Sequence, residues 1–136
     1  MTKIVSQQRL RFDYADLHQE ADGQCRVEVG FTFVNRVVRA SALDSNEGRG
    51  PLRAAASASL KAIAAAADNR FGCALADLDH VHALGKDLIA VLVNVDFEGK
   101  QIQVFGSCQI TSNETDASVR AALNATNRFF DLAIRS

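Results

Sequence analysis

Leu10, Phe12 and Tyr14 alternate with Arg11, Asp13 and Ala15, a two-residue period that suits a strand with one buried face. Ala21-Asp22-Gly23 then reads as a turn. Val27, Val29, Phe31 and Phe33 resume the alternation, Asn35-Arg36 permits a tight reversal, and Val37, Val38, Ala40 and Ala42 supply a third strand. The pattern predicts an antiparallel meander.

Asn46-Glu47-Gly48-Arg49-Gly50-Pro51 interrupts the strand pattern, and a proline after glycine suits the first turn of a helix, where its missing N–H costs nothing. A helix is predicted over roughly 51–67. Its alanine-rich body, PLRAAASASLKAIAAAA, has high helix propensity, and its small side chains let the axis lie close on a sheet.

After Asp68-Asn69-Arg70-Phe71-Gly72 the pattern repeats: a short strand near Leu78 to Leu84, a strong one over Leu88 to Phe97, and another over Gln101 to Ile110. Glu98-Gly99-Lys100 makes the hairpin between the last two. A closing helix spans about Thr115 to Leu132, with Val119, Ala122 and Leu123 on one face and Phe129 and Phe130 beyond. Ala54 and Val119, like Ala58 and Leu123, lie 65 positions apart at matching places in the two helices. The expected fold class is therefore α+β, with two pseudo-symmetric βββα units, each a three-stranded antiparallel sheet packed with one helix. One domain over 1–136 is expected, with an internal repeat of approximately 8–68 and 73–134. Such duplication leaves each half burying its apolar face against the other or against a second subunit, so a homodimer is expected.

At 136 residues the chain is long enough to bury a core without disulfides or a structural metal. A formal net charge of -1 provides no strong field for nucleic acid or an anionic membrane, so neither is expected as a partner. The longest uncharged apolar run, Ala62 to Ala67, is too short to span a bilayer, and the start MTKIVSQQRLRF has no secretory hydrophobic segment. Cytoplasmic residence follows as the expectation. Cys25, Cys73 and Cys108 are odd in number and far apart, and read as reduced, packed thiols. The Asn-x-Thr triplets at Asn113 and Asn124 have no chemical meaning without a secretory route.

Three segments carry a resemblance. Gly48-Arg49-Gly50-Pro51-Leu52-Arg53-Ala54, the strand Ile89-Ala90-Val91-Leu92-Val93, and Ala117-Ser118-Val119-Arg120-Ala121-Ala122-Leu123-Asn124-Ala125-Thr126-Asn127 together resemble, in order and spacing, the regulatory dimerisation domain of 2-isopropylmalate and citramalate synthases. The likeness runs from about Cys25 to Phe129. It implies two βββα units that pair with another copy and bind leucine or isoleucine as feedback inhibitor near the dimer interface. The family's condensation chemistry resides in a separate metal-dependent barrel of which this chain has no counterpart, so the resemblance implies a stand-alone, non-enzymatic module that acts on a partner enzyme. Departures gather at the implied ligand site. Arg53 replaces the family's acid after Gly-Pro, Asn113-Glu114 replaces its Asp-Ile, and Ala56 and Ala122 stand where it often has tyrosine. Loss of the acid removes a partner for an ammonium group, and an added cation beside a helix start favours anions.

The candidate ligand site is thus the pair of helix starts, Gly48, Arg49, Gly50, Pro51 and Arg53 on one side and Asn113, Thr115, Asp116, Ala117 and Ser118 on the other. Unpaired backbone donors and the helix dipole there suit the carboxylate of a small metabolite or amino acid. The competing reading is that Gly48 and Gly50 merely make the turn while Thr115 or Asp116 caps the second helix, leaving a structural dimerisation or protein-interaction module without ligand. His80 and His82, two apart on one side of a strand with Asp77 and Asp79 nearby, lack a third well-spaced metal ligand, and no metal or cofactor is expected. No cysteine or carboxylate stands in a nucleophile-and-base spacing, so no catalytic residue is assigned.

Overall fold

The structure, a computed structural model, describes residues 9–135. The expectations that rest on residues 1–8 and on Ser136, namely the lack of a hydrophobic leader and the outermost residue of the first repeat, lie outside the described residues. The elements run β1 (Arg11–Gln19), β2 (Gln24–Phe33), β3 (Arg36–Ser45), α1 (Gly50–Ala66), β4 (Gly72–Ala83), β5 (Lys86–Phe97), β6 (Lys100–Gln109) and α2 (Glu114–Ile134). Strands pair antiparallel in the orders β1-β2-β3 and β4-β5-β6. The fold is α+β with two βββα units. β4 starts earlier than the pattern suggests, because Cys73 and Leu75 alternate inward before a bulge breaks the period.

The duplication is visible in the register. Gln24 pairs with Ser45 and Phe33 with Arg36 in the first sheet; Leu88 pairs with Gln109 and Phe97 with Lys100 in the second, each residue displaced by 64. The helix starts, Gly50 and Glu114, keep that displacement, one less than the spacing read from the helix sequences.

Two local expectations are corrected. The alternation in β1 does not hold through Tyr14: the register slips between Phe12 and Tyr14, so Phe12 pairs with buried Phe31 while Tyr14 falls opposite Gly30 on the outer face. A Cβ on Gly30 would lie 2.1 Å from the Tyr14 ring, which is why only glycine lets that ring lie flat on the strand. The β2–β3 reversal centres on Val34-Asn35 rather than Asn35-Arg36, with Val34 in the left-handed region at φ 59°. Its counterpart, Glu98-Gly99, has φ of 53° and 78°, the geometry of a type I′ hairpin.

α1 packs on β2 and β3 of its own sheet and also on β4 of the other, while α2 packs on β5 and β6 and, at fewer points, on β1. The helices also contact each other, so the units share one core. Cys25, Val27, Val29 and Phe31 from β2 meet Ile89, Val91, Val93 and Val95 from β5 across the alanine faces of the helices. Small helix side chains make the close approach possible: a Cβ on Gly106 of β6 would sit 2.3 Å from the Ala121 carbonyl oxygen of α2. Lys61 is the one exposed residue of α1. The C-terminal part of α2 is held against the first unit by Phe33 at the end of β2, edge-on to Phe130 with centroids 5.0 Å apart, and by Arg70 in the connection after α1, whose Nη1 donates to Ala133 O at 3.1 Å.

Candidate functional site at the helix starts

Both helix starts lie at one end of the molecule, joined by two consecutive residues of β4. Asp79 Oδ1 lies 2.9 Å from Arg49 Nη1 at the start of α1, and His80 Nδ1 lies 3.2 Å from Glu114 Oε2 at the start of α2. The glycine-proline and alanine-serine segments are therefore neighbours.

The α1 start is closed mostly by tertiary contacts. Gly48 turns the chain at φ 59°, and Gly50 crosses so close to β3 that a Cβ there would be 1.8 Å from Ser45 O. Arg49 occupies the N-cap position without a side-chain hydrogen bond to the helix, and Pro51 removes one of the donors that would need a partner. The Arg53 fork is taken by Asp44 of β3, with Nε 3.2 Å from Oδ2 and Nη2 3.0 Å from Oδ1. Partial burial works against the Asp44 carboxylate, but the Arg53 hydrogen bonds and the Ser45 N–H outweigh it and hold its pKa below the usual carboxylate value. The same hydrogen bond raises the Arg53 pKa.

The α2 start is closed locally. The cap is Asn113, not Thr115 or Asp116: its backbone is extended and its Oδ1 accepts from Asp116 N at 2.8 Å. Asp116 supplies the amide that is capped, since its φ/ψ already belong to the helix, and together with Glu114 it places negative charge on the positive end of the dipole. Thr115 is half-buried. Ala117 and Ser118 are buried, and Ser118 Oγ donates back to Glu114 O at 3.0 Å. Ala56 and Ala122 are fully buried in the close-packed core, where a tyrosine would not fit without displacing its neighbours.

Three shallow surface grooves of about 460, 470 and 490 Å³ lie at the β5–β6 hairpin, around Phe33, Arg36 and Arg70, and along α2 from Leu123 to Arg135; none of the three is lined by Gly48 to Arg53 or Asn113 to Ser118. His80 and His82 converge on Asp87 rather than on Asp77 or Asp79: His82 Nδ1 is 3.0 Å and His80 Nε2 3.5 Å from Asp87 Oδ1. The His82 hydrogen bond, ahead of the other contributions, lowers the Asp87 pKa. Among the described residues no group of three His, Cys, Asp or Glu is arranged to hold a metal ion. Burial raises the Cys25 thiol and pushes Cys73 up to about 12; all three cysteines are free. No described helix is long and apolar enough to cross a membrane.

Asp44, Asp79 and His80 were absent from the site as read from sequence. Asp44 precedes Arg53 by nine residues across a turn and Asp79 follows Arg49 by thirty, and no local spacing rule connects such pairs. Neither the protein-family models nor the curated proteins contain a match to this chain.

Proposed function

We propose that the chain is a non-catalytic interaction module, a homodimerising scaffold similar to the regulatory domain of 2-isopropylmalate synthases, in which the helix starts serve the fold instead of a ligand. The observation that carries this reading is that the groups suited to a carboxylate already have partners within the chain: Arg53 has Asp44, Arg49 has Asp79, and the Asp116 amide has Asn113. A metabolite carboxylate would have to displace a carboxylate held at effectively high local concentration.

The outer face of the second sheet supports an interaction role. Leu92 and Phe105 are register partners opposite the buried side of their strands, and Phe105 is 71% exposed, with half-buried Leu88 four residues along β5 on the same face. A large aromatic side chain left exposed on a sheet face is characteristic of surfaces that meet another protein. The Cys25 and Cys73 thiols, raised by burial, and histidines held against Asp87 and Glu114 support the absence of catalysis. Three unbridged cysteines suit a cytoplasmic setting.

Two measurements test this. Isothermal titration with leucine, isoleucine and 2-keto or 2-hydroxy acids at millimolar concentration is expected to show no saturable heat. Light scattering after size exclusion is expected to give a dimer, weakened by Phe105→Ser. Saturable binding of any of these acids, abolished by Arg53→Ala, would instead establish a sensing module that acts on a partner enzyme. The arrangement favouring that second reading is the Asp79-His80 pair, which contacts both helix starts from one point of β4.

A further inference from the structure

β3 and β6 each end a sheet with one hydrogen-bonded neighbour. Asn46 N donates to Gly23 O and Ile110 N to Asp87 O, in register with the two ladders, so even-numbered residues of β3 and β6 point their backbone groups at β2 and β5. Odd-numbered residues of both strands point theirs outward. An outward row of N–H and C=O groups is a template for a further strand. Near the middle of each row, one group is already occupied by a side chain from a helix: Lys61 Nζ of α1 donates to Ser41 O at 3.1 Å, and Asn124 Oδ1 of α2 accepts from Ser107 N at 3.1 Å.

The other two edges are broken differently. β1 carries an extra residue at Asp13 and β4 one at Ala76, each disrupting the ladder. All four edges are therefore interrupted, by a bulge on the first strand of each unit and by a helix side chain on the last. The need is greatest at β6. β3 carries Arg36, Arg39 and Asp44, whereas β6 carries only Lys100, the equivalent of Arg36 at the hairpin, and is uncharged from Gln101 to Gln109, where it exposes Phe105.

We infer that Asn124, and to a smaller degree Lys61, are edge guards: they occupy outward backbone groups of β6 and β3 and so keep the sheets from accepting a strand of a second copy. The inference is independent of the proposed function, because a dimer formed through the outer face of the second sheet leaves β6 unpaired.

The test uses the full chain. Asn124 is exposed on a helix, so Asn124→Ala raises helix propensity and is expected to fold. In that variant the Ser107 amide is expected to exchange with solvent roughly fivefold faster, as one hydrogen bond is lost. Self-association beyond that of the parent is expected to rise with concentration. Asn124→Asp, which retains an acceptor, is expected to behave as the parent. Unchanged Ser107 exchange would overturn the inference. So would faster exchange without added association, which would leave the hydrogen bond a local contact only.

Discussion

At the start of α1 no side chain caps the helix, and closure comes from β3 and β4 through Asp44 and Asp79. At the start of α2 the cap is Asn113, three residues from the amide it holds, with two acids in the first turn. The units share strand register and helix placement, yet one helix start is anchored by tertiary ion pairs of its arginine side chains and the other by a local cap on a backbone amide. Duplication thus preserves where each helix begins, and leaves open how that start is anchored.

Substitutions at the two starts separate these solutions. The largest effect is expected for Gly50→Ala, whose Cβ would meet the Ser45 backbone at 1.8 Å: a loss of roughly 3 kcal/mol in denaturant unfolding, since backbone cannot give way as a side chain can. Gly48→Ala, with open space around it, is expected to cost only about 1 kcal/mol for its left-handed backbone. A result in which the two variants lose equal stability would show that the crossing at Gly50 is not the constraint.

Asn113→Ala is expected to cost about 1 kcal/mol, with Asn113→Asp close to the parent, because the carboxylate keeps the cap and adds charge at the favourable end of the dipole. The hairpins sharpen the comparison with an effect of opposite sign. Val34 is β-branched in the left-handed region, so Val34→Asn is expected to raise stability by about 1 kcal/mol, while no such gain is available at Gly99.

The smallest effect belongs to the partly exposed ion pair. Asp44→Asn is expected to cost about 0.5 kcal/mol at neutral pH, because solvent screens a pair whose arginine is 40% exposed. The sign of its pH dependence is definite. Asp44 has a folded pKa below the unfolded value near 3.9, so its contribution is present above that value and is lost as pH falls through the folded pKa. Urea midpoints of parent and variant should therefore converge in acid below about pH 4. Divergence there would contradict the Arg53 assignment.

Much of the architecture was legible along the chain because it rests on short-range periodicity. Val27, Val29 and Phe31 face inward as their alternation requires, and Val91, Val93 and Val95 repeat the arrangement. Gly-Pro before an alanine run starts a helix for reasons contained within a few residues. The candidate site was legible only in its location. Arg53 and Asn113 were correctly singled out as residues of the helix starts, but the partner of Arg53 lies on another strand and Asn113, not its neighbours, holds the cap.

By itself the amino-acid sequence determined two βββα units, their order, and the two segments that begin the helices, because propensity and periodicity act between residues close in the chain. The tertiary structure alone decided that Asp79 and His80 connect the two starts, that a bulge turns Tyr14 to the outer face, and that Asn124 reaches the β6 edge. Those contacts join residues whose separation along the chain carries no signal, and they exist only once packing has brought the two sheets and the two helices together.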